Sequence, residues 1–266
     1  MPDIDDSPAA RHQGWRQRRL AELDAPEGWP GLIGLHWLEP GANAVGTAPD
    51  SVVPLPEGPA RLGVLEWQGE AITWRPAGGT AQPLQSDARG VPTPVAWGPF
   101  KFFVIEREGR LAVRLRDVAW QEKRPFAGLD CLPYDPAWRI EADWQALAAP
   151  VTMEVPTVTG ELKTVTVHHR AVFQHQGQSV ALLPMEAGEE GAFFVFRDAT
   201  SGRLTYGAGR FLRCPPPKDG KVLLDFNRAY NPPCAFTPFA TCPLPPPENW
   251  LGLAVNAGEL KYRGDH

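Results

Sequence analysis

Thirty prolines among 266 residues set the first limit on what this chain can fold into. That is about twice the ordinary share of ~5%. Proline lacks the N–H that a helix interior or a central strand needs, and its ring clashes with the preceding turn. A chain so punctuated breaks into short strands joined by stiff turns. Ten tryptophans and twelve phenylalanines supply the large side chains that suit sheet faces. With 43% hydrophobic residues, a chain of this length buries most of its apolar surface without staples and is not a disordered segment.

One helix is expected at the N-terminus. Ser7 is a natural N-cap and Pro8 fits the first helical position. The helix runs to about Leu23, with Trp15, Arg19 and Leu23 on one face, and Pro26-Glu27-Gly28 stops it. Strand signals then recur. Gly63–Trp67 and Ala71–Trp74 flank Gln68-Gly69, and Phe102–Glu106 and Leu111–Leu115 flank Glu108-Gly109, which both read as hairpins. Further strands are expected at Val165–Val167, Ala171–Phe173, Val180–Leu183, Phe193–Arg197, Leu204–Tyr206, Val222–Phe226 and Leu251–Val255. A short helix is expected at Pro136–Leu147, capped by Asp135. Strands this close, with so little helical pattern between them, predict a mainly β protein. The expected form is two packed antiparallel β units, sandwich or barrel-like, with an N-terminal helix. The division expected is 1–120 and 121–266, with a soft boundary and a single domain as the alternative.

Charge narrows the partners. The formal net charge is -5 and the pI about 5.7. No clustered Lys and Arg mark a nucleic-acid footprint or an anionic membrane surface. No run approaches the ~18 apolar residues of a membrane span. Met1 to Arg11 is polar and acidic, without the apolar stretch of a secretory leader. Four cysteines are too few for a disulfide scaffold. A cytoplasmic protein is the expectation. Its oligomeric state is left open.

The least ordinary text lies between Arg197 and Glu259. It contains Arg197-Asp198, Tyr206-Gly207-Ala208-Gly209-Arg210-Phe211, Leu224-Asp225-Phe226-Asn227-Arg228-Ala229-Tyr230-Asn231-Pro232-Pro233-Cys234-Ala235, Cys242-Pro243-Leu244-Pro245-Pro246, Glu248-Asn249 and Ala257-Gly258-Glu259. The motifs from Tyr206 onward resemble the bacterial and archaeal domain of unknown function 1684 family. Gly31 to Gly46 and Phe126-Ala127-Gly128-Leu129 are similar to it as well. The resemblance implies no assigned activity, so the residues must be read physically.

By strand alternation Asp225 and Asn227 share a face opposite Phe226. Gly207 and Gly209 interrupt the Tyr206–Arg210 segment, permitting a bulge or a close backbone approach. Two readings follow. In one, Arg197, Arg210, Arg228, Asp198, Asp225 and Glu248 form a buried network of charge-assisted bonds that braces Pro-rich loops. In the other they line a pocket for a small polar or anionic molecule. There Arg210 or Arg228 would grip a carboxylate or phosphate, with Tyr206, Asn227, Asn231 and Asn249 as further contacts. Asp225 or Glu248 would then move the proton if its pKa is raised.

Other chemistries fit less well. Cys234 and Cys242 have seven residues between them and no Cys-x-x-Cys or His-x-His companion, so no metal is expected. Two buried free thiols are the simpler reading, with a disulfide as the alternative. His168 and His169 point to opposite faces of a strand, and His36 fits a core. Ser201 sits in a hairpin turn and not in a nucleophile elbow. Gly207-Ala208-Gly209 lacks a third glycine, so no dinucleotide cofactor is expected. Trp67, Trp74, Trp97 and Trp120 offer an alternative as sugar-stacking platforms of a non-catalytic binder, although packing between sheets would use them equally well.

Overall fold

The computed structural model describes residues 6–264. The leader expectation, on residues 1–11, therefore falls partly outside them. The described chain is mainly β, with an N-terminal helix and several antiparallel sheets. It divides into two compact units, one of them Ala25–Pro125 and the other α1 with the chain from Phe126 onward.

Helix α1 spans Pro8–Leu23. Ser7 accepts from the Ala10 N–H at 3.2 Å, proline sits in the first turn, and the Asp24 N–H closes on Leu20 O. Each group satisfies a backbone position that a helix end leaves open.

The first β unit holds β1 (Leu32–Trp37), β2 (Gly41–Gly46), β3 (Val53–Pro54), β4 (Gly63–Gln68), β5 (Ala71–Pro76), β6 (Gln82–Leu84), β7 (Val95–Trp97), β8 (Phe100–Arg107) and β9 (Arg110–Asp117). They form a sheet β1-β9-β8-β7 and a sheet β3-β2-β4-β5-β6. Both expected hairpins are present, as β4–β5 and β8–β9. Alternate residues of β9, Leu111, Val113 and Leu115, enter a core with Leu65, Trp74, Phe102 and Val104. Trp74 meets Phe102 edge-on at 5.4 Å, and Trp120 on the short helix α2 (Trp120–Lys123) is buried, its Nε1 donating to Ala25 O at 3.1 Å. These two tryptophans are core residues and offer no face for a sugar. Trp67 packs partly against the same core, and Trp97 is exposed.

The second unit adds β10 (Arg139–Pro156), β11 (Leu162–His175), β12 (Gln178–Leu182), β13 (Glu186–Gly188), β14 (Gly191–Phe196), β15 (Arg210–Cys214) and β16 (Lys221–Asp225). Its sheets run β12-β11-β10-β16 and β13-β14-β15. Phe173, Phe194, Phe196 and Phe226 fill the core between Leu224 and Val255. Burying each such ring contributes about 1.5–3 kcal/mol.

Four expectations are corrected here. The helix at 136–147 is a single 3-10 turn, Pro136–Trp138, that Asp135 caps through Ala137 N at 2.8 Å. From Arg139 the chain is strand, because β16 and β11 pair with it on both sides. Its register shifts between Ala146 and Val151, where Pro150 cannot donate. Second, 204–206 forms no strand, and β14 pairs with β15. The Asp198 carboxylate takes the Thr200 N–H and hydroxyl at 2.7 and 2.6 Å, which holds the intervening chain in a compact turn. Third, residues 251–255 form no strand, since their backbone is held by Arg197, Ala199 and Asp198. Fourth, Asp225 ends β16, and Asn227 lies in the 3-10 turn Phe226–Arg228, so the two share no strand face.

Candidate functional site

The second unit draws the motif residues into two groups. The first is a frame. Arg210 opens β15 and is fully buried with Asp198, Nη2 to Oδ2 at 2.8 Å. The same guanidinium donates to Val255 O at 3.0 Å and to Ala257 O. It therefore pins a coil segment that has no sheet partner. Gly209 makes this possible: at φ +97 its Cα lies so close to Phe196 O that a Cβ would stand at 2.6 Å. Asn249 works the same way, accepting from Leu183 N and donating to Leu183 O, both at 2.8 Å, and to Val195 O at 2.9 Å. Asn227 clamps both polar groups of the Asp135 backbone at 2.9 Å. The Tyr206 hydroxyl donates to Cys234 O at 2.9 Å, and burial raises its pKa.

The second group gathers on α1. Residues 12, 15, 16 and 19 lie on one helix face by their 3- and 4-residue spacing. Arg19 Nε donates to Glu259 Oε1 at 3.0 Å and its Nη2 to Asn231 O at 2.9 Å. Asn231 completes the loop, its N–H donating to Glu259 Oε2 at 2.6 Å and its Nδ2 to Leu260 O at 2.7 Å. Tyr230 and Phe236 flank the guanidinium at 5.0 and 5.6 Å. Burial pushes the Glu259 carboxyl above its ordinary value, against the opposing pull of Arg19, the Asn231 N–H and Arg210. Beside this pair, Trp15, Arg16, Leu20, Leu129 and Cys131 enclose a cavity of about 10 Å³, room for about one water.

One helical turn away stands His12. It is 4% exposed, between the rings of Trp15 at 5.7 Å and Tyr134 at 5.4 Å. Its Nδ1 is buried without a hydrogen-bond partner among the described residues. Burial lowers its pKa; the Asp225 carboxylate opposes this, and Arg16 and Arg228 reinforce it. Asp225 accepts from Asn227 Nδ2 at 3.0 Å and faces Arg228 Nε at 3.6 Å, too long for a hydrogen bond. Arg228 Nε is likewise buried and without a hydrogen bond.

The structure thus brings Asp225, Asn227 and Arg228 together with His12, and Asn231 with Arg19 and Glu259. It commits Arg210 and Asn249 to the frame. Glu248 is exposed on the turn Pro247–Asn249, and no hydrogen bond or ion pair joins it to Asp225 or Arg210 among the described residues. Sequence reasoning passed over His12 as a site residue. The signal was available: a histidine one turn before Arg16 and Arg19, on the face that carries Trp15. An open cleft of about 280 Å³ lies elsewhere, at the β13–β14 hairpin beside Arg213 and Cys214, and holds none of the motif residues.

Comparison with known proteins adds an address. No curated protein matches the chain. A solution NMR structure of an uncharacterized protein from Haloarcula marismortui is 35% identical over 51% of this chain and 77% of its own, with a TM-score of 0.41. The model of the family described as "Protein of unknown function (DUF1684)" matches residues 124–260, just over half the chain and all of the motifs beyond Arg197, and the chain belongs to that family.

Proposed function

We propose that the second unit binds a small polar or anionic molecule against α1, beside Asp225 and Arg228, and that His12 exchanges a proton with it. One observation carries this reading: a buried imidazole with an unpartnered Nδ1 beside an acid and a guanidinium that are not hydrogen-bonded to each other. A buried polar atom without a partner costs ~1–3 kcal/mol, so an unfilled one inside a polar cluster asks for a ligand atom. The lowered pKa keeps the imidazole neutral near pH 7, the form that can accept a proton. Arg228, with its side chain 34% exposed, can meet a carboxylate or phosphate oxygen. Trp15 and Tyr134 supply flat walls. The reading retains Asp225, places the proton carrier at His12, and requires neither metal nor cofactor. We place the protein in the cytoplasm, which its four unbridged cysteines support.

The test is a thermal-shift screen of small carboxylates and phosphate esters. A compound that binds the folded state raises Tm. The reading expects such a compound, and expects His12→Gln and Arg228→Met to lose the shift. A compound that stabilises both variants as well as the parent refutes it, as does a screen without any shift.

A second reading, that the motifs only brace loops, is favoured for Arg210, Asn227 and Asn249 by their saturated backbone contacts. It leaves the unpartnered Nδ1 of His12 without an account.

A further inference from the structure

Two of the four cysteines meet inside one apolar cluster. Cys234 lies on the 3-10 turn Pro233–Ala235, and Cys242 follows at the end of the next loop. The Cys234 backbone N–H donates to Cys242 Sγ at 3.3 Å, which sets the Cys242 sulfur against Cys234. Both are unbridged and buried, Cys234 at 8% exposure and Cys242 at 4%. Neither takes part in the His12 site.

We propose that Cys234 and Cys242 are a reversible dithiol–disulfide couple, oxidised by a low-molecular-weight disulfide. The Cys234 thiolate attacks one sulfur of the oxidant, the oxidant's S–S bond breaks, and one small thiolate leaves. Cys242 then gives up its proton and attacks the Cys234 sulfur of the mixed disulfide, expelling the second small thiolate. The protein loses two protons and two electrons and gains one S–S bond, and the oxidant becomes two thiols.

Three features favour this pair over the other cysteines. The neighbouring Cys242 holds the Cys234 thiol below its ordinary value, whereas burial pushes Cys131 up to about 11 and Cys214 up to about 12. The thiolate is the attacking species, so Cys234 is the reactive sulfur. The surroundings include Met153, Val167 and Phe211. A standing charge is costly there, while a neutral disulfide is not. Finally, the bridge would close the short loop 234–242 and so restrain the unfolded chain.

The test uses the folded full-length chain with oxidised glutathione, then acid quenching, alkylation of remaining thiols in denaturant, and peptide mapping. The expected result is a cross-link between the Cys234 and Cys242 peptides, a chain lighter by two hydrogens, and reversal by dithiothreitol. Cys131 and Cys214 remain alkylated, and the oxidised chain melts at a higher temperature than the reduced one. Cys242→Ser is expected to keep glutathione on Cys234. The proposal is overturned if both thiols are still alkylated when Cys131 has already reacted. It is equally overturned if the cross-link forms only in the urea-unfolded chain, or if Cys242→Ser carries no adduct at Cys234.

Discussion

Arg19 on the N-terminal helix donates from Nε to Glu259 Oε1 at 3.0 Å, across 240 residues of sequence. The pair is almost dry, with side-chain exposures of 13% and 1%. It ties α1 to the C-terminal segment at Glu259, and the same guanidinium holds Asn231 O at 2.9 Å.

Removing one partner should therefore be costly. Arg19→Ala leaves Glu259 buried and unpaired, an arrangement that costs about 3–5 kcal/mol. Urea denaturation should show that loss. Arg19→Met combined with Glu259→Gln should lose less than the single change, because no uncompensated charge remains. Equal losses would place the effect in packing and not in the ion pair.

Asn249 gives a neutral counterpart. One amide satisfies Leu183 N, Leu183 O and Val195 O. Asn249→Ala leaves these backbone groups without their partner, at about 1–3 kcal/mol for each group left dry. A lowered urea midpoint and faster amide exchange at Leu183 are the expected readouts.

Much of the architecture was legible from local pattern. The β4–β5 and β8–β9 hairpins followed from alternation and Gly turns, and α1 from Ser7-Pro8. What stayed hidden depends on partners distant in sequence. Residues 139–147 form a strand only because β11 and β16 flank them. The coil at 251–255 is held by side chains of Asp198 and Arg210, which no periodicity can announce. The site behaves alike. Asn231 was visible as a motif residue, but its partners Arg19 and Glu259 lie 212 and 28 positions away. His12 carried no motif, and the lack of a hydrogen-bond partner at its Nδ1 among the described residues exists only in three dimensions.

Glu259 also sets a pH dependence. Burial raises its pKa above 4.5, so the folded chain holds the proton more tightly than the unfolded one. Its contribution to stability is complete below the unfolded value and is lost as pH rises through the higher, folded one. Glu259→Gln removes this titration. In urea titrations from pH 4.5 upward, the parent should lose stability relative to the variant. A constant difference across that range would contradict the assignment.

His12 has the opposite sign. Its folded pKa lies below 6.5, so its contribution is present above that value and lost as pH falls through the depressed one. Following its ring protons by NMR as pH is varied tests the central claim most directly. The account predicts a midpoint below 6.5, moved further down by Asp225→Asn, which removes an attracting charge, and up by Arg228→Met, which removes a repelling one. A midpoint at or above 6.5, or one that ignores both substitutions, would contradict it.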